Sequence, residues 1–351
     1  MQRRSKTAKI LDQAASNGFA VWAVVLVMFV LALCFASGFG TPDNLNNVSR
    51  QGAAIALLAL AQFIVVLTGE VDLSIAANAR LTAIVTAILM NGDNSNLVLA
   101  LVTAIGIGLT IGAFNALLVV VFRIESFIAT LGVSAIVAGL ALFIAPTPQG
   151  RSAPLLSDFY SAQVLGGPYL VVVTVVIVWV LAWFMLRRTV WGRHVYATGG
   201  NPHAANLSGI STAGVRTSTY LVGGVLSALA GVVILAGTGI GDNSAASGLE
   251  FTALAIVVIG GASLAGGRGT LIGLLGGVLL FAMIGNVFNL LRIEVWYQQL
   301  VRGLIILIAA AVFVDRVKGG RVRRRAARPS GNPDDATQDP TPTTEGAPTW
   351  R

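Results

Sequence analysis

Lysine is almost missing from this chain of 351 residues: Lys6, Lys9 and Lys318 are the only three, and none lies between the last two. A phosphate-binding loop sets a lysine against the β- and γ-phosphates of a nucleotide. The stretch Gly266-Gly267-Arg268-Gly269-Thr270 has the glycines of such a loop and lacks that residue. Work driven by ATP therefore has to come from another polypeptide. Cysteine is as scarce, and Cys34 alone excludes an internal disulfide. The two histidines, His194 and His203, do not share a helix face, and with a single cysteine they form no zinc set. No Gly-x-Ser-x-Gly elbow occurs. The inventory predicts no catalytic residue, metal or cofactor, and a protein that is not an enzyme.

Charge is also short. Charged residues make up 11% of the chain, against about 25% in a soluble domain, while 55% are hydrophobic. That deficit places the chain in a lipid bilayer. Its formal net charge of +8 reads as membrane topology and not as nucleic-acid binding.

Apolar runs long enough to cross about 30 Å of hydrocarbon occur near 19–37, 50–68, 73–90, 97–122, 127–145, 167–186, 214–237, 250–265, 270–290 and 298–314. Ten spans put both termini on one side. Arg3, Arg4, Lys6 and Lys9 lie on that side, with Arg123, Arg187, Arg188, Arg193, Arg216, Arg268 and the arginine cluster after Arg316. The opposite segments hold Arg50, Arg151 and Arg292, so the positive-inside rule makes the termini cytoplasmic. The expected organisation is a cytoplasmic segment 1–18, a membrane domain 19–316 with a cytoplasmic loop 187–213, and a tail 317–351. That tail, basic and then rich in Pro, Thr and Asp, reads as disordered, with its arginines against anionic headgroups. The first span follows basic residues as a signal peptide does, but no small-x-small site closes it, so a retained helix is expected.

Rows of small residues, Gly269/Gly273/Gly277, Gly108/Gly112 and Gly223/Ser227/Gly231, predict close helix packing. Ile64-Val65-Val66-Leu67-Thr68-Gly69 has a faint echo in Ile256-Val257-Val258-Ile259-Gly260-Gly261, for which coincidence is the default reading. Polar residues at membrane depth are costly and thus candidates for a pathway. Asp72, Asn78, Arg80, Asn115 and Asn286 form that set, and Asn289 also falls within a span. Each has a plainer reading: Asp72 and Ser74 as helix caps, the asparagines as interhelical bonds, Arg80 as the ion-pair partner of Glu70 or Glu250.

The loop between Arg187 and Arg216 predicts one short helix, Asn201–Gly209. Asn201 is a good N-cap, Pro202 suits the first helical position, and Gly209 suits a left-handed stop. Two turns, roughly 10 Å, have little stability alone in water, so the helix must dock on its own bundle or on a partner.

Four stretches together resemble one family: Thr68-Gly69-Glu70-Val71-Asp72-Leu73-Ser74, Phe127-Ile128-Ala129-Thr130-Leu131-Gly132, the loop from Gly192 to Ile210, and Val258 through Gly269. The chain resembles the permease subunit of bacterial ABC importers of the ribose, xylose and galactose type. The resemblance implies an all-α membrane protein of about ten helices with a fold like that of the vitamin B12 importer. It implies a cytoplasmic ATPase pair, an extracytoplasmic sugar-binding protein and a second permease subunit. It would make Gly200, Asn201, Pro202, Ala204, Ala205, Leu207 and Gly209 the element coupled to the ATPase, with Ala204 and Ala205 as its close-packing residues. Permeases of the same architecture for branched-chain amino acids or nucleosides, and an ion-coupled carrier, are the alternatives. Glu70, Arg80, Glu125-Ser126 and His203 depart from the usual residues of the family.

Overall fold

The structure is a computed structural model and describes residues 20–294, 296–298, 300, 301, 303 and 304. The expected segment 1–18, the tail 317–351 and most of the tenth span lie outside the described residues. Among the described residues there are twelve α-helices and no strand. In chain order they are α1 (Ala20–Phe35), α2 (Pro42–Leu67), α3 (Ile75–Met90), α4 (Leu97–Ala116), α5 (Ser126–Ile144), α6 (Pro154–Ser161), α7 (Leu170–Arg188), α8 (Val190–Gly200), α9 (Pro202–Leu207), α10 (Thr212–Thr238), α11 (Leu249–Ile259) and α12 (Leu271–Leu290). A π-helical turn, Leu117–Val121, extends α4. Six helices among the described residues are long and apolar enough to cross a membrane: Pro42–Leu67, Asn94–Val121, Ser126–Ile144, Leu170–Arg188, Thr212–Thr238 and Leu271–Leu290. Val21–Phe35, Ile75–Met90 and Leu249–Ile259 are apolar but shorter.

Local chemistry sets several boundaries that hydropathy misplaces. α2 starts well before position 50 because Thr41 accepts a bond from the Asn44 amide at 3.4 Å and Pro42 takes the first helical position. Its first turns are polar and so invisible to a search for apolar runs. α11 stops at Ile259, short of the expected 265, because Gly260 and the left-handed Gly261 (φ +85°) turn the chain. Glu125 caps α5 by accepting from the Ile128 amide at 3.3 Å.

α10 is the central helix and packs on α2, α3 and α4. The approach to α4 is closest at small residues: a Cβ on Gly108 would lie 2.6 Å from the Gly224 carbonyl oxygen, and one on Gly112 would lie 2.5 Å from that of Tyr220. In lipid, where apolar burial gives helices no reason to associate, such backbone contact supplies dispersion energy that larger residues would forfeit. Leu58, Leu60, Ile64 and Leu67 of α2 are fully buried in the main core. Val98, Ile136, Phe143 and Val180 are exposed on α4, α5 and α7, as on helices whose outer faces meet hydrocarbon.

Candidate functional site

The turns 68–74, 122–125, 189–211 and 260–270 gather at one end of the bundle. The 189–211 connection holds two helices, which corrects the expectation of one. α8 starts where Thr189 accepts from the Gly192 amide at 3.3 Å. It contains Gly192, Thr198, Gly199 and Gly200, all poor helix formers, so its sequence gives no helical signal. Tertiary contacts hold it instead: the Trp191 indole donates to Ser218 at 2.8 Å, and the Tyr196 hydroxyl donates to the Gly269 carbonyl at 3.1 Å. Burial holds the Tyr196 phenol above its ordinary value, with Arg187 acting the other way.

α9 follows the expected chemistry. Asn201 is extended and its side chain accepts from the Ala204 amide at 3.1 Å, Pro202 takes the first turn, and Gly209 is left-handed (φ +79°). Asn206 accepts from the Thr212 hydroxyl at 3.1 Å, which ties α9 to the start of α10. Ala204 and Ala205, the expected close-packing residues, lie on different faces. Ala205 is 5% exposed and turned into the bundle, whereas Pro202, His203, Ala204 and Gly209 are exposed and Leu207 is 78% exposed. Successive helical residues point about 100° apart, so a two-turn helix with one face docked must show the other. Gly200, just before α9, is exposed as well.

Beneath α9 three backbones meet with no side chain between them. The Gly267 amide donates to the Leu67 carbonyl at 2.9 Å. A Cβ on Gly199 would fall 2.5 Å from the Gly267 nitrogen, and one on Gly266 would fall 2.7 Å from the Gly69 nitrogen. The end of α8 is thereby joined to the turn after α2 and to the turn after α11. The stretches that echo each other in sequence, 64–69 and 256–261, lead into those two turns. Each ends a helix with a left-handed glycine, Gly69 at φ +86° and Gly261 at φ +85°.

Beside this junction opens a cleft of about 690 Å³ lined by Glu70, Arg123, Glu125, Ser126, Asn206 and Arg216. Glu70 pairs with Arg216 at 3.2 Å. The expected pairing of Arg80 with Glu70 or Glu250 is thus corrected: Glu70 lies at the end of the bundle and is taken by α10, and neither carboxylate is in ion-pair contact with Arg80.

Three of the five expected pathway residues share one buried file. Asp72 accepts from the Ser74 amide at 2.8 Å and from its hydroxyl at 2.7 Å, and Asn115 donates to that hydroxyl at 2.7 Å. Asn78 donates to the Gly224 carbonyl at 3.0 Å and accepts from Thr82 at 3.3 Å. The turn itself is fastened to α5, with the Val71 amide donating to Ser126 at 3.2 Å and the Leu73 amide to Thr130 at 3.0 Å. Arg80 is on another face of α3, half-buried, and donates to the Ser247 hydroxyl at 2.9 Å. Asn286 stands apart from all of these and exchanges two bonds with Asn44 at 2.9 and 3.0 Å. Ser247, Gly199 and Tyr196 drew no notice from sequence. Only the doublet of glycines after Thr198 hinted at a close backbone approach.

The profile of a family described as "Branched-chain amino acid transport system / permease component" matches residues 44–310. The chain is similar to the ribose import permease protein of Escherichia coli (strain K12), 35% identical over 84% of this chain and 92% of that one. The ribose import permease protein of Bacillus subtilis (strain 168) is 35% identical over 84% of this chain and 91% of that one. The D-allose transport system permease protein of Escherichia coli (strain K12) is 33% identical over 89% and 98%. No solved structure matches the chain significantly.

Proposed function

The chain belongs to the branched-chain amino acid transport system / permease component family, and we infer from this that it is the membrane-spanning permease subunit of an ABC importer that carries a sugar. It is a multi-pass membrane protein of the bacterial inner membrane. The ribose and allose permeases named above support a monosaccharide as cargo.

Ten spans cross the membrane in an arrangement like that of the vitamin B12 importer, with both termini and the 187–213 loop in the cytoplasm. The membrane domain covers 19–316, flanked by a cytoplasmic segment 1–18 and a cytoplasmic tail 317–351. A second copy of the chain completes the permease, a separate cytoplasmic ATPase supplies the energy, and an extracytoplasmic sugar-binding protein delivers the cargo. The chain has no ATP site of its own.

The observation that carries the coupling role is Leu207, 78% exposed on a helix too short to stand alone. An apolar side chain in that position fits a groove on a partner. ATP closure of the ATPase moves α9, and the glycine junction at Leu67, Gly199 and Gly267 passes the movement to the helices that follow both turns. Asp72 and Asn115 are tied to Ser74, Asn78 is tied to Gly224 and Thr82, and the buried Asn115 Oδ1 is left without a donor, so these residues hold α3 in register during that movement. Heating the cognate binding protein with D-ribose, D-allose or leucine tests the cargo. Stabilisation by a sugar supports this reading, and stabilisation by leucine alone moves it to amino acids.

A further inference from the structure

The side of α3 that carries Arg80 is covered by residues 239–259, and only part of that stretch is helical. α11 supplies eleven residues, roughly 16 Å at 1.5 Å per residue, or half of a bilayer core. Residues 239–248 reach it as irregular backbone between two left-handed glycines, Gly239 (φ +75°) and Gly248 (φ +79°). Their upper end is pinned. Gln149 and Gly241 exchange backbone bonds at 2.9 and 3.1 Å, and a Cβ on Gly241 would stand 2.9 Å from the Ala87 Cβ and 3.0 Å from the Ile84 Cα. Six residues on, Ser247 receives the hydrogen bond of Arg80 at 2.9 Å. Arg80 precedes Ile84 and Ala87 by one to two turns of α3, so the irregular segment descends roughly 6–10 Å into the bundle.

Irregular backbone at that depth persists only where protein buries it or where it lines water. Gly241 and Ala246 are buried, whereas Ser244, Ser247 and Gly248 are exposed, so this chain covers one side of the segment and leaves the other open. Arg80 has five N–H donors. One is given to Ser247, and its Nε is shielded from solvent without any acceptor. The Asp242 carboxylate accepts from the Ser244 amide at 2.9 Å and its hydroxyl at 2.6 Å. Glu250 opens α11 two residues past Gly248. Spare donors beside the Asp242 carboxylate are the complement of a neutral molecule rich in hydroxyls, since each hydroxyl both gives and takes a bond. A lone anion would meet that carboxylate as well as the guanidinium.

We propose that Arg80 and Ser247 form a specificity element in the translocation path, where the guanidinium and the seryl hydroxyl contact vicinal hydroxyls of a neutral monosaccharide. The proposal rests on the importer reading above and adds the residues that select the cargo. The test uses proteoliposomes holding the full chain with its ATPase and binding protein. D-ribose and 2-deoxy-D-ribose uptake is measured for wild type, Arg80→Lys, Arg80→Gln and Ser247→Ala, with binding-protein-stimulated ATP hydrolysis read in parallel. Arg80→Gln is expected to slow D-ribose uptake about tenfold or more, the scale of a lost charged hydrogen bond, while hydrolysis stays within about twofold. Arg80→Lys is expected to fall between. Ser247→Ala, an exposed and minimal change, is expected to shift the ratio of D-ribose to 2-deoxy-D-ribose uptake. Unchanged ratios in every variant, or equal losses of both sugars and of hydrolysis, overturn the proposal. Wild-type vesicles without ATP-dependent uptake of any sugar contradict the importer reading instead, and this inference falls with it.

Discussion

Glu70 and Arg216 form an ion pair at 3.2 Å, with the carboxylate side chain 12% exposed and the guanidinium 30% exposed. The pair links the turn after α2 to the first turns of α10, the helix at the centre of the bundle. It stands at the wall of the cleft beside α9.

A double-mutant cycle with Glu70→Gln and Arg216→Gln is therefore expected to show coupling of about 1 kcal/mol, as for contacting charged groups that are partly solvated. Thermal unfolding in detergent measures it. Additive losses would mean that the two groups act independently.

Gly199 and Gly200 make a sharper contrast. A Cβ at Gly199 runs into the Leu67 carbonyl and the Gly267 nitrogen, whereas one at Gly200 meets nothing within 4 Å. Gly199→Ala is expected to cost roughly 1–3 kcal/mol through overpacking, and Gly200→Ala less than about 0.5 kcal/mol. Melting temperatures of the purified variants check this, and equal shifts would remove the junction from the account.

On the exposed side of α9, Leu207→Asp is expected to weaken association with the ATPase about tenfold or more, because burial of a leucine contributes roughly 1.5–3 kcal/mol. The isolated permease should melt as wild type does. Ala205→Glu, by contrast, inserts a charge into the buried side and should lower the melting temperature of the permease itself. Binding of detergent-solubilised variants to the ATPase, read beside their melting curves, separates the two faces.

Tyr196 gives a pH dependence. Its folded value is raised above the ordinary tyrosine value of about 10 by burial, so the folded state holds the proton more tightly than the unfolded one. The contribution is complete below pH of about 10 and is lost as pH rises beyond that. Tyr196→Phe is expected to cost about 1 kcal/mol at neutral pH through the lost bond to Gly269. The difference between wild type and variant should shrink in alkaline buffer, which melting curves at both pH values measure.

Much of this was legible in the sequence where a single physical force dominates. Apolar runs located α1, α3, α5, α7, α10 and α12 closely, and capping chemistry located α9 through Asn201, Pro202 and Gly209. α8 was not legible because Gly192, Thr198, Gly199 and Gly200 oppose a helix that only Trp191, Tyr196 and the glycine junction hold in place. The end of α11 was missed because Gly260 and Gly261 read as apolar company in a hydropathy window, although they turn the chain. Among the polar residues, type and depth singled out Asp72, Asn78, Arg80, Asn115 and Asn286. Their partners, Ser74, Gly224, Ser247 and Asn44, depend on helix rotation and on long-range packing, which no local pattern records.

A permease driven through α9 by a separate ATPase transports only when that ATPase turns over. Uptake of labelled D-ribose into proteoliposomes containing the chain, its binding protein and the ATPase, with the ATPase present or omitted, tests it most directly. Uptake is expected to require both ATP and the ATPase and to be lost in Leu207→Asp. Uptake that continues without the ATPase and collapses when an ionophore dissipates the ion gradient would contradict it.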